Sequence, residues 1–157
     1  MGIFMINKTS LKFIGGFVLI VALAMGGLYA LNYYFSPEQK AIRYYKNLER
    51  QYAEDTYGGK TPEETLQLFI DALKAGDIEL ASKYFVVEKQ GEWQNNLTEI
   101  KTKNLLDEMV FDLQRPKDRK DVSNDKIIFY IYNDNNQLAI AISIGKISNS
   151  IWKIIDM

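Results

Sequence analysis

Between Phe13 and Phe35 the chain runs for 23 residues without a charged side chain. A helix rises about 1.5 Å per residue, so this run reaches roughly 34 Å, enough to cross a hydrocarbon core of about 30 Å. Tyr29, Tyr33 and Tyr34 cluster at its C-terminal end, where amphipathic rings favour the headgroup zone. The pattern predicts a short tail over 1–12, a transmembrane helix over 13–35, a juxtamembrane helix and linker over 36–60, and a folded domain over 61–157. Two other readings are open. Ala22-Leu23-Ala24 has the small-x-small form of a signal-peptide cleavage site, which would give a secreted product, and an apolar helix can also be a buried core element. The apolar run continues through Leu28, Ala30 and Leu31 beyond that tripeptide, which favours an uncleaved anchor.

Lys8 and Lys12 precede the span, and Lys40, Arg43, Lys46 and Arg50 follow it, so a bare count of positive charges does not orient it. Lys12 sits at the very edge, the downstream charges are mixed with Glu38 and Glu49, and long C-terminal domains translocate largely regardless of charge. The expectation is a single-pass protein in the cell membrane with residues 36–157 outside the cytoplasm. Ala22, Gly26 and Ala30 form a small-xxx-small ridge of the kind that lets two helices approach, which raises a homodimer as one expectation.

Composition narrows the chemistry. Among 157 residues there is no Cys and no His, which removes disulfides, lipidated cysteine, thiolate catalysis and the commonest general base and metal ligand. Position 6 is Ile, which argues against myristoylation at Gly2. Lys and Arg total 19 against 20 Asp and Glu, for a net charge of −1, so no nucleic-acid partner is expected. The basic residues Arg115, Lys117, Arg119 and Lys120 are half neutralised by Asp118 and Asp121. No phosphate-binding glycine loop and no calcium-loop spacing occurs, so neither a cofactor nor a metal is expected.

Downstream of the span, Ser36-Pro37-Glu38-Gln39 and Thr61-Pro62-Glu63-Glu64 are two helix starts, each with a capping residue, Pro at the first position and a capping-box partner. The first helix runs to about Glu54, with Ile42, Tyr45, Leu48 and Tyr52 near one stripe. In the second, Leu66, Phe69, Ile70 and Leu73 recur at helical spacing. Gly76 ends it, and Asp77 caps a further short helix. A third helix is predicted from Asn95 to about Asp107. A first strand is predicted at Met109, Phe111 and Leu113, then a polar loop over Arg115 to Asp125. The remainder reads as strands at Ile127–Tyr132, Leu138–Gly145 and Ile151–Asp156, with turns at 133–136 and 145–150. Helices first and an antiparallel meander last predict an α+β domain, two to three helices packed on a curved antiparallel sheet.

Two stretches give this order a resemblance. Thr61 to Phe85, TPEETLQLFIDALKAGDIELASKYF, carries an Ala-x-x-x-Gly-Asp joint at Ala72, Gly76 and Asp77, and the last strand carries Trp152-Lys153-Ile154. The chain resembles the nuclear-transport-factor-like superfamily, the cone-shaped fold also seen in ketosteroid isomerases, with bacterial lipoprotein-like members especially similar. It departs from those members by using a hydrophobic span in place of a lipidated Cys. A bitopic layout with such a domain is also similar to assembly-factor subunits of type IV secretion systems. The resemblance implies a cystatin-like cone whose sheet encloses a pocket. It also implies that isomerase-type members would use a carboxylate base with a Tyr/acid pair, residue types present here at Tyr84, Tyr130, Tyr132 and Asp156.

The same-parity set Ile128, Tyr130 and Tyr132, with Tyr84 and Trp93, is the expected pocket lining. These tyrosines are also what a core or rim aromatic looks like, and no carboxylate stands in a motif that singles it out, so no catalytic residue is assigned. The function expected is that of a membrane-anchored, non-enzymatic binding or assembly module for a protein partner or a small apolar ligand. The alternatives are a tethered isomerase- or dehydratase-like enzyme and a subunit of an envelope assembly such as a secretion system.

Overall fold

The computed structural model describes residues 8–147 and 150–157. Six helices, α1 (Lys8–Tyr34), α2 (Pro37–Glu54), α3 (Pro62–Lys74), α4 (Ile78–Lys83), α5 (Val87–Thr102) and α6 (Leu106–Leu113), precede four strands. The strands are β1 (Lys117–Ser123), β2 (Lys126–Tyr132), β3 (Leu138–Lys146) and β4 (Trp152–Asp156). They form one antiparallel sheet in the order β1-β2-β3-β4, so the fold is α+β. The predicted turn at 145–150 lies partly outside the described residues. The chain divides into two compact units, Met1–Asn47 and Leu48–Met157, with the boundary inside α2.

In the first unit Gly15–Tyr34 is a helix long and apolar enough to cross a membrane, and none of it is buried. Its hydrogen-bond ladder stops at Phe35 and Ser36, whose N–H groups bond to Leu31 and Tyr33. Pro37 has no N–H to continue it. The Ser36 hydroxyl then accepts from the Gln39 N–H at 3.3 Å and starts α2, but the expected capping box does not close: the Gln39 amide donates to the Tyr33 hydroxyl, and the Ser36 N–H bonds to the Tyr33 carbonyl.

In the second unit α3 begins on Thr61, whose hydroxyl accepts from the Glu64 N–H at 3.1 Å, while the Glu64 carboxylate reaches back to the Lys60 N–H at 2.7 Å. Its apolar stripe, Leu66, Phe69, Ile70 and Leu73, is fully buried. At its end Gly76 adopts φ +66°, and Asp77 and Gly76 donate to the carbonyls of Ala72 and Leu73, closing a Schellman motif. Asp77 then caps Leu80 at 2.9 Å.

The middle of the chain corrects three expectations. The helix predicted over 95–107 is α5 followed by α6, broken because Asn104 takes φ +57° and ends α5 with a second Schellman pair, Leu105 to Ile100 and Asn104 to Lys101. The strand predicted at 109–113 is instead α6. Leu106, Val110 and Leu113 recur at i, i+4 and i+7 and are buried, whereas the alternating residue Phe111 is 63% exposed. The polar loop predicted over 115–125 is in part β1, whose seven residues are all exposed. A charged, uncovered edge strand has no apolar alternation to reveal it, and such edges discourage further strand pairing.

β2 to β4 follow the predicted pattern. Ile127, Phe129 and Ile131 pair across to Ile144, Ile142 and Ile140, and with Ile154 they meet α3, Phe85 and Leu97 in one core. The turn at 133–136 is tied by Asn133, whose side-chain oxygen accepts from the N–H groups of Asn135 and Gln137.

Candidate functional site

The free edge of β4 is closed by two short segments. Val86 donates to the Ile154 carbonyl and Ile154 to that of Tyr84, both at 2.9 Å, so residues 84–86 run alongside the strand. Trp152 donates to the Gly59 carbonyl at 2.9 Å. Thr65, fully buried on α3, accepts from the Gly59 N–H at 2.9 Å and lies 2.9 Å from the Trp152 carbonyl. Glycine is required here. A Cβ on Gly58, at φ +136°, would lie 2.5 Å from the Trp152 carbonyl oxygen, and one on Gly59 would lie 2.6 Å from the Thr65 nitrogen.

This close approach places Asp55, the first residue after α2, against β4. Trp152 and Ile154 face the core, and Lys153, of the opposite parity, has no exposed surface at all. Its ammonium lies 2.6 Å from Asp55 Oδ2 and donates to the Lys83 carbonyl at 2.6 Å. Gln90 on α5 donates to the same Asp55 oxygen at 3.0 Å and lies within 3.5 Å of the carbonyls of Lys83 and Phe85. Asp55 Oδ1 accepts from the Tyr57 N–H at 2.9 Å. Burial holds the Lys153 ammonium below the usual lysine range, opposed by its bond to Asp55. A buried pair of this kind gains its attraction against a large desolvation cost, and Gln90, Tyr57 and the Lys83 carbonyl offset part of that cost by satisfying the remaining bonds.

Over Asp55 opens a cleft of about 470 Å³ whose other walls include Gln51, Glu54, Tyr57, Lys83 and Gln94. The Asp55 carboxylate is committed to Lys153, Gln90 and Tyr57, whereas the rim carries amide, carboxylate, phenol and ammonium groups that face solvent. Beside it, the Tyr52 hydroxyl donates to the Glu88 carboxylate, and burial together with that bond raises the Tyr52 pKa. A second cleft of about 460 Å³ lies by Arg119, Asp121, Asn124 and Trp152, with Arg119 already paired to Asp121 and Glu63. Among the described residues no cluster of three or more acidic side chains has the arrangement of a metal site.

The residues expected to line a pocket fall in two places. Ile128, Tyr130 and Tyr132 are half-buried and alternate with the buried Ile127, Phe129 and Ile131, so they occupy the sheet face turned away from the core. Tyr130 sits between Asp118 and Ala141, and Ile128 between Lys120 and Ser143. Tyr84 and Trp93 are core residues. Trp93 stacks on Phe85 at 4.4 Å, and burial raises the Tyr84 pKa. None of the five borders either cleft.

Asp55, Gln90 and Lys153 were not legible as a group, because 98 residues separate the ion pair. The one sequence signal is local: Lys153 is a lone charge inside Ile-Trp-Lys-Ile-Ile, a strand apolar on both sides of it. No family model, curated protein or solved structure matches the chain.

Proposed function

We propose that this chain is a single-pass membrane protein that displays residues 36–157 outside the cytoplasm and carries there a small, non-enzymatic binding module of the nuclear-transport-factor-like kind. The apolar helix Gly15–Tyr34 supports the tether. The observation that carries the non-enzymatic reading is the state of the buried charges: the lysine with no exposed surface is tied to Asp55 and a carbonyl, and Asp55 is tied to three donors. A general base must present a lone pair to its substrate; the Lys153 ammonium has none, and Asp55 is buried with both of its oxygens already accepting hydrogen bonds. What remains for recognition is the polar rim of the cleft. Its amides and opposite charges suit the main chain and polar side chains of a protein segment rather than an apolar ligand.

Two measurements test this. Protease added to spheroplasts, which expose the outer face of the cell membrane, should digest the body of the full-length protein, and carbonate washing should leave the remnant in the pellet. A protected body reverses the orientation, and a released chain removes the tether. Crosslinking the full chain through a photoreactive residue at Gln94 should then trap a protein, and Lys83→Glu should abolish the adduct. An adduct unaffected by that change places recognition elsewhere.

The tethered-enzyme reading draws on one feature, a buried lysine whose pKa is lowered, as at some catalytic sites. It requires Lys153 to be reached by a substrate, and Asp55 and the Lys83 carbonyl stand against its ammonium. The assembly-subunit reading is tested by the same crosslink, which would then join two copies.

A further inference from the structure

α1 and α2 do not form one straight rod. Tyr34 and Arg43 are nine residues apart, which on a continuous helix separates their Cα atoms by about 13.5 Å, beyond comfortable side-chain reach. Arg43 nevertheless donates to the Tyr34 carbonyl at 2.7 Å, and its guanidinium sits 4.3 Å over the Tyr34 ring. Gln39, one turn earlier on the same face of α2, donates to the Tyr33 hydroxyl at 2.9 Å. The chain therefore bends at Phe35-Ser36, where the hydrogen-bond ladder is interrupted, and the face of α2 bearing Gln39 and Arg43 is the inner side of that bend.

The inner side is basic. Gln39, Arg43 and Lys46 are spaced i, i+4 and i+7, and Lys40 flanks them. The opposite side carries Ala41, Tyr44 and Tyr45, and the two tyrosines are 57% and 66% exposed. α2 as a whole has no buried residue. The inner side starts where the apolar span stops, so in a bilayer it faces the headgroup layer, which extends about 5–8 Å beyond the hydrocarbon. Arg43 spends one of its five N–H donors on the end of α1, where a cation also suits the negative pole of the helix. The remaining fork matches a phosphate bidentately.

We propose that the bend between α1 and α2 is a binding site for anionic phospholipid headgroups: Arg43, held by Tyr34, and the flanking Lys40 and Lys46 clamp headgroup phosphates, while Tyr44 and Tyr45 point away from the bilayer. The proposal rests on the tether reading above and adds to it the lipid class and the face that meets it. It also explains why an amphipathic helix turns its charged side toward the span.

The chain has no Cys, so single spin labels can be placed without removing native residues of that type. Full-length protein carrying one label at Asn47→Cys, on the basic side, at Tyr45→Cys, on the aromatic side, or at Leu23→Cys, inside the span, is reconstituted into phosphatidylcholine vesicles with and without phosphatidylglycerol. Collision with a nickel chelate anchored at the headgroups is then read. With phosphatidylglycerol, the label at 47 should collide strongly and the label at 45 weakly. K40Q/K46Q should lower the ratio of docked to undocked protein about 25-fold, at about fivefold for each basic residue near an anionic surface. Arg43→Gln should lower the docked population in the same direction. A label at 45 that lies deeper than the label at 47, or a contrast indifferent to phosphatidylglycerol, overturns the proposal. A label at 23 that meets oxygen as acyl-chain residues do keeps the tether intact in that event. A label at 23 exposed to water removes the tether itself.

Discussion

α1 and α3 are both helices rich in large apolar side chains, and they are covered in opposite ways. From Gly15 to Tyr34 α1 carries no charge on any side, and Phe17, Leu19, Leu23 and Leu28 are each at least 63% exposed. α3 is apolar on one stripe, and seven of its thirteen residues, Thr65 among them, are buried against the sheet and its neighbours. A helix with a stripe can be satisfied by a protein core. Gly15–Tyr34 has no polar side to turn to water, and it is long and apolar enough to cross a membrane. On the proposed tether the two helices depend on different surroundings, and substitutions should separate them.

The largest separation is expected from Phe69→Ala on α3. Phe69 is fully buried and packs edge-on against Phe85 at 5.4 Å, so its loss should cost about 3–5 kcal/mol of body stability. Leu23→Ala on α1 should leave the denaturation midpoint of the body unchanged. Equal shifts from both, in chemical denaturation of the full chain in detergent, would dissolve the contrast.

Lys153→Met comes next. It leaves the Asp55 carboxylate buried without its cation, at a cost of about 3–5 kcal/mol, and Asp55→Asn added to it should recover most of the loss. A double variant no more stable than the single one would mean that the pair is not the source. The same lysine has a pH signature. Its folded pKa lies below its unfolded one, so the unfolded chain binds the extra proton between the two values. Lys153 therefore costs stability throughout the range below its folded pKa, and that cost should fade as the pH climbs from there toward the ordinary lysine value. The denaturation midpoint of Lys153→Met should lack this component.

For α1 the corresponding lesion is Leu23→Arg. A cation at the centre of a span costs about 2.5–3.5 kcal/mol of insertion free energy, so the pelleted fraction of the protein should fall while the body stays folded. An unchanged membrane fraction would speak against the span. The smallest effects belong to helix ends. Thr61→Ala removes one N-cap bond and should cost about 1 kcal/mol, and Asn104→Ala, at φ +57°, about 1–2 kcal/mol, both read as shifts in midpoint at constant slope.

The places where pattern and structure part company share a cause. At Asn104 a single residue in the left-handed region splits one helix into two, and Asn enters that region less readily than Gly, so no Gly marks the break. At 106–113 the residues fit both a two-residue and a 3.6-residue period, and burial of Leu106, Val110 and Leu113 selects the helix. The parity of β2 was legible, since Ile128, Tyr130 and Tyr132 do share a face. Which of its two faces the helices cover was not, because both are apolar or aromatic.

From residue order alone follow the apolar span, the two capped starts at Ser36 and Thr61, the Gly76-Asp77 joint and the strands β2 to β4. Each of these rests on the spacing of neighbours within a few turns or one strand. Tertiary structure alone decided that α6 is a helix, that β1 pairs as an exposed edge, and that Asp55 meets Lys153 behind the last strand. Those outcomes depend on which distant surfaces exclude water from one another, and a charge inside a strand becomes a buried ion pair only when a carboxylate 98 residues away is brought against it.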